Sequence, residues 1–223
     1  MFLRALTKNT LSVMMGTMKT IPSVTVMFQN PRHKAGVFCA LFALCLALFS
    51  SCVSMPEGAA KYTVYVTNTK KVPLLLPRCM DGTVDSLNLF TGKFGDTSFA
   101  LQMYVYADDA EISFVLLNEF GVDMGSLSYT GDSLTLDSAV FPKSLKPEYI
   151  VADFENAFYS ADALQVNYEL NRMQFECTKT ASKEIRRILN NGTVIEEITK
   201  QNGVTTIQNF LRGYTYVLTQ AED

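Results

Sequence analysis

Along Ser98–Tyr106, apolar and polar positions alternate. Phe99, Leu101, Met103 and Val105 fall on one side, and Ala100, Gln102, Tyr104 and Tyr106 on the other. The next run, Glu111–Asn118, sets Ile112, Phe114 and Leu116 against Ser113, Val115 and Leu117. A period of two predicts β-strands with one strongly apolar face. Shorter runs of the same kind are Lys61–Val66, Leu87–Phe94 (broken at Gly92), Ser126–Tyr129, Ser133–Leu136 and Met173–Cys177. Farther on, Lys183–Leu189, Thr193–Lys200 and Val204–Leu211 are separated by Asn190-Asn191-Gly192 and Gln201-Asn202-Gly203, with Tyr214–Thr219 last. Asn-Gly tolerates the positive backbone angles of a tight hairpin turn, so two successive hairpins are expected there.

One segment has a different period. From Pro147, apolar residues fall at Ile150, Val151, Phe154, Ala157 and Phe158, the spacing of an amphipathic helix. Pro147 suits its first turn and Glu148 its positive end. Ser160 opens a second short helical piece through Ala161 and Leu164. Roughly ten strands with helices between two strand groups predict a mainly β, α+β fold: an antiparallel sheet under a helical lid, without βαβ alternation.

A third pattern lies near the start. Ala35–Phe49 is an apolar run that follows Arg32-His33-Lys34 and ends at Ser50-Ser51-Cys52. A basic segment and a short apolar core before small residues have the pattern of a secretory signal, and the ending Leu48-Phe49-Ser50-Ser51-Cys52 resembles a bacterial lipobox. Fifteen apolar residues span about 22 Å as a helix, short of the hydrocarbon layer of roughly 30 Å. The expected organisation is a leader over 1–51, a lipidated tether over 52–60 and a single β-rich domain over 61–223. Within the leader, 27–51 is read as the lipoprotein signal peptide and 1–26 as a gene-model extension. Cys52 is the expected lipidation site, and acyl chains on it would give stable anchoring.

Charge sharpens this division. Residues 1–51 carry five basic residues and no acid, which leaves 14 basic against 22 acidic residues in 52–223. A net acidic body excludes a basic nucleic-acid binder. The one histidine, His33, lies in the leader, so a His-based triad or a His-containing metal site is not expected. Phosphate-loop and G-x-S-x-G signatures are missing. The acid pairs Asp108-Asp109 and Glu196-Glu197 are read as solvated turns or strand edges, and Asn191-Gly192-Thr193 as a hairpin turn although it matches a glycosylation sequon. No enzyme, metal or cofactor is expected. Cys79 and Cys177 are candidates for a disulfide outside the cytoplasm, or alternatively two buried free thiols.

The apolar strand faces and the helix stripe could enclose a greasy space. Its expected lining is Leu101, Met103, Val105, Phe114 and Leu116, covered by Ile150, Phe154 and Phe158. The alternative is a filled core.

Several short segments resemble a family. They are the leader ending at Cys52, Leu74-Leu75-Leu76-Pro77, Asn118-Glu119-Phe120-Gly121, Val151-Ala152-Asp153-Phe154, Ile207-Gln208-Asn209-Phe210 and Gly213-Tyr214. In this order, from about Val64 to the end, they resemble the bacterial lipoproteins grouped as domain of unknown function 3261. That family is in turn similar to the LolA/LolB lipoprotein carriers and receptors. The resemblance implies an unclosed β-barrel whose helices cap an apolar cavity that shields acyl chains. The expected function is therefore a lipid-anchored periplasmic lipoprotein of the cell envelope that binds or relays acyl chains of a lipoprotein or an exported lipid-like product. Val53 and Ser54 after Cys52 favour the outer membrane. Expected partners are the membrane, the acyl ligand and a periplasmic LolA-like carrier. The competing expectation is a structural or protein-interaction module of the envelope.

Overall fold

A computed structural model describes residues 57–221 apart from 140, 142 and 144. The leader and Cys52 lie outside the described residues. The order is β1 (Ala59–Tyr65), β2 (Lys71–Leu75), a 3-10 turn (Pro77–Cys79), then a meander of β3 (Val84–Phe94), β4 (Thr97–Ala107), β5 (Ile112–Leu117), β6 (Asp123–Tyr129) and β7 (Leu134–Ser138). Helices α1 (Pro147–Phe158) and α2 (Ala161–Leu170) follow. A second meander of β8 (Gln174–Lys179), β9 (Lys183–Asn190), β10 (Thr193–Gln201), β11 (Val204–Asn209) and β12 (Tyr214–Gln220) completes the chain.

The two meanders join through β12 and β3, from Tyr214 opposite Phe94 to Gln220 opposite Asn88. One antiparallel ten-stranded sheet results, ordered β7-β6-β5-β4-β3-β12-β11-β10-β9-β8. Its two end strands, β7 and β8, are not paired with each other, so the sheet is not closed. The hairpin β1–β2 forms a separate two-stranded sheet. The expected alternation is borne out in the central strands: Met103, Val105, Ile112, Phe114 and Leu116 are buried, and Leu101 is half-buried on the same face. Register extends one inward row across the sheet, from Val105 to Phe114, Leu127 and Leu136.

The sheet is strongly curled. Side chains from seven adjacent strands, β7 round to β11, line a single small cavity together with α1. Laid flat, seven strands would span roughly 29 Å at about 4.8 Å spacing. Only curvature brings Leu136 of β7 and Ile207 of β11 to one space.

Helix α1 begins at Pro147, as its spacing predicts, with proline in the first turn. It is not a lid with a wet outer face. Val151 to Ala157 are all buried, Asp153, Glu155 and Asn156 included. The reason is the β1–β2 hairpin, which covers the face that the sheet leaves open. Leu75 of β2 donates its N–H to Glu155 Oε1 at 3.0 Å, and α2 packs on β8 and β2. β2 itself contains Pro73, which a short strand at the edge of a hairpin accommodates.

Two glycines lie inside strands: Gly92, read as a break, and Gly125. Gly92 pairs with Phe99, and a Cβ there would fall 2.3 Å from the Phe99 ring. The ring takes the place of the missing side chain. Gly125, at φ +142°, sits beside a register shift where β5 meets β6. The Asn191-Gly192 and Asn202-Gly203 turns have positive φ at both residues, as the expected hairpins require.

The disulfide considered between Cys79 and Cys177 is not formed, and both thiols are free. Cys79 lies at the end of the 3-10 turn, where its carbonyl accepts from Ser160 N at 3.0 Å. Cys177 is exposed on the edge strand β8, opposite Arg186, whose guanidinium donates to the Tyr159 carbonyl.

Candidate functional site

The space between sheet and α1 is an apolar cavity of about 50 Å³. Six of the eight residues expected to line it do so: Met103, Phe114, Leu116, Ile150, Phe154 and Phe158. Leu101 packs at the border of the core. Val105 faces the adjoining groove instead. Phe114 meets Phe154 at 5.1 Å between ring centres, and Phe154 stacks on Phe158 at 4.6 Å. A volume of 50 Å³ is far below the 300–1,000 Å³ of ligand pockets in general. The protein's own aromatic rings fill most of the space.

The cavity lies between two larger grooves, each of about 390 Å³. The first runs along the Asn88 and Lys200 side and shares Phe158 and Leu218 with the cavity. The second runs along the Phe94 and Arg212 side and shares Ile150, Asp153 and Tyr216. Ile150 and Phe158 are eight residues apart on α1, about 12 Å at 1.5 Å per residue. Groove, cavity and groove therefore follow one another along the helix.

Polar groups mark both ends. At the second groove, Asp153 is 7% exposed and Glu196 of β10 is 4% exposed. The two carboxyl groups share a hydrogen bond. Tyr214 donates to Asp153, lying 2.8 and 2.7 Å from its two oxygens. Asn156 and Asn209 donate to the two oxygens of Glu196 at 3.0 and 2.9 Å. Tyr168 of α2 donates to Asn156 Oδ1 at 2.8 Å. Burial pushes the Asp153 carboxyl well above the usual carboxylate range, and the charge of Glu196 pushes it further. Burial also raises Glu196, while its amide donors and Asp153 pull it back. One proton held between two buried carboxyls is the electrostatic outcome, with Asp153 the donor. Arg212 stands near both, over the Tyr149 ring at 4.3 Å.

At the first groove, Lys200 Nζ lies 4.5 Å from the centre of the Phe158 ring. Burial, and then the neighbouring Arg186 charge, lower its pKa to about 8. Among the described residues it makes no ion pair: Glu184, opposite it on β9, is engaged by Arg186 and by Lys179 at 3.8 Å.

The acid cluster was not legible as a site. Glu196 was expected to be solvated with Glu197. Instead Glu197 pairs with Arg187 at the surface at 2.7 Å, and Glu196 turns inward beside a bulge between Val194 and Glu196. That bulge makes the adjacent Ile195 and Glu196 both buried, which strict alternation cannot show. A signal did exist. Val151-Ala152-Asp153-Phe154, Ile207-Gln208-Asn209-Phe210 and Gly213-Tyr214, three of the segments that carry the family resemblance, deliver Asp153, Asn209 and Tyr214 to this cluster. Among the described residues no group of three or more His, Cys, Asp or Glu is placed to hold a metal ion, and no helix is long and apolar enough to cross a membrane.

A family model described as "Protein of unknown function (DUF3261)" matches residues 86–222. No curated protein matches the chain.

Proposed function

The chain belongs to this DUF3261 family, and on that premise we propose that the domain is a non-enzymatic carrier or receptor that takes an acyl chain between sheet and α1. The observation that carries the reading is the largely apolar lining between two open grooves along one helix. A curled, unclosed sheet around a buried helix is also the architecture implied by the similarity to LolA/LolB carriers and receptors. In this reading Cys52 is lipidated and tethers the domain to the envelope, at the outer membrane and facing the periplasm, and a LolA-like carrier is the partner that hands the chain on. The 50 Å³ cavity is then the ligand-free form. Chain uptake displaces the Phe154 and Phe158 rings from their stack and leaves the ladder of the sheet intact.

Organic extraction and mass spectrometry of the purified protein, together with displacement of a fluorescent fatty acid, test the proposal. Bound acyl lipid is expected. Phe114→Asp should abolish displacement and Glu197→Gln should leave it unchanged. The small interior favours a second reading, an envelope interaction module with a filled core and a protein partner on a free sheet edge. Finding no lipid and no displacement, with a stoichiometric protein partner, would select it.

A further inference from the structure

The first groove differs from the cavity it adjoins. Its walls are half polar, with Ser86, Asn88, Thr205 and Gln220 among them, and Lys200 stands where the groove meets Phe158. Three facts about that lysine belong together. Its ammonium rests on an aromatic face, which holds a cation in the absence of a carboxylate. It makes no ion pair among the described residues, since Glu184 is engaged by Arg186 and Lys179. The ring it rests on is the same ring that closes this end of the apolar cavity. Asp85, an acid that also lines the groove, is held by the Tyr104 hydroxyl at 2.9 Å. A partly desolvated cation whose neighbouring acid, Glu184, is committed to Arg186 and Lys179, set at the mouth of a greasy passage, is half of a recognition site for an anionic amphiphile.

We infer that Lys200 is the head-group residue of this protein, binding the anionic end of a single-chain amphiphile whose acyl tail passes Phe158 into the cavity. The head is a carboxylate or a phosphate monoester; both present oxygens that accept charge-assisted hydrogen bonds from an ammonium group. The inference rests on the acyl-chain reading above and adds the chemistry of the head to it. The groups facing Lys200 are Arg186, Glu184, Lys179 and Cys177. An added anion compensates the two neighbouring cations as well as Lys200 itself. The lowered lysine pKa makes the site most receptive below about pH 8.

The experiment is displacement of cis-parinaric acid from the purified protein by dodecanoate, dodecyl phosphate and uncharged dodecanol. The wild type should bind at least one of the charged amphiphiles about tenfold or more tightly than the alcohol, the size of effect a charged hydrogen bond gives. Whichever charged ligand binds more tightly names the source of the head group. Lys200→Met keeps the apolar stem over Phe158 and should remove that preference, leaving dodecanol unchanged. Lys200→Arg should retain it. Raising pH from 7 to 9 should weaken the charged ligands and not the alcohol. Equal affinity of all three ligands for the wild type, or an unchanged preference in Lys200→Met, would overturn the head-group assignment and leave the acyl-chain reading standing. Displacement by none of them would overturn both. The comparison of ligands on the wild type stands even where a variant fails to fold.

Discussion

Tyr214 of β12 holds Asp153 of α1 by its hydroxyl, at 2.8 and 2.7 Å from the two carboxyl oxygens, and Asp153 in turn bonds Glu196 of β10. A buried helix is thereby fastened to two strands of the curled sheet, to β12 by the Tyr214 hydroxyl and to β10 by the proton shared with Glu196.

This proton sets a pH dependence. The folded Asp153 pKa is raised, by burial and then by Glu196, above an unfolded value of about 3.9. Below that value both states are protonated and the group contributes no slope. As pH rises above it, the unfolded chain releases a proton that the folded chain keeps, so stability falls up to the raised folded value. Urea unfolding should therefore give lower stability at pH 8 than at pH 5. Asp153→Asn keeps the acceptor for Tyr214 and a donor toward Glu196, and should make that slope shallower, leaving the share of Glu155 and Glu196. An unchanged slope in the variant would place the linkage elsewhere.

Glu155 poses the same question on the opposite face of α1. It is 3% exposed, accepts the Leu75 N–H at 3.0 Å, and its carboxyl is raised by burial. Glu155→Gln retains the acceptor and should be close to neutral at pH 7. Glu155→Leu leaves the Leu75 N–H without a partner and should cost about 1–3 kcal/mol by chemical denaturation.

Phe154 fills the middle of the interior and stacks on Phe158. Phe154→Ala should lower stability by about 3–5 kcal/mol through the cavity it leaves. If the space accepts acyl chains, added dodecanoate should raise the Tm of this variant more than that of the wild type. Equal shifts in the two proteins would count against chain binding at this position.

Gly92 and Phe99 form a pair that can be dissected by a double-mutant cycle. Gly92→Ala puts a methyl group into the Phe99 ring and should cost about 1–3 kcal/mol. In a Phe99→Leu background the clash is relieved, and the second substitution should cost markedly less. Additive costs would mean that the ring does not cover the glycine.

The sequence exposed what depends on local period. Strands β4 and β5, helix α1 and the Asn-Gly hairpins follow from alternation, helical spacing and turn chemistry, each set by neighbours along the chain. Six of the eight cavity residues follow for the same reason. Burial of polar residues did not. Asp153, Glu155 and Asn156 look like the wet side of an amphipathic helix until the β1–β2 hairpin covers them, and that covering is a contact between segments some 80 residues apart. Glu196 was hidden by a bulge, which shifts side-chain direction without altering composition. Strand β2 was concealed by Pro73, tolerated because the hairpin leaves that edge unladdered. Lys200 resembles any strand lysine in sequence; only the position of the Phe158 ring gives it a setting.

The missing bond between β7 and β8 has a mechanical meaning. A closed barrel keeps a fixed girth, because widening it breaks a ladder. Here the first and last strands of the ten are unfastened to each other, so the sheet can splay like an unbuckled collar. Every hydrogen bond between neighbouring strands survives such a movement, and the work is done against side-chain packing and the hydrogen bonds that tie α1 to the sheet. Under the proposed reading, that seam is where a narrow bore would widen to admit a chain.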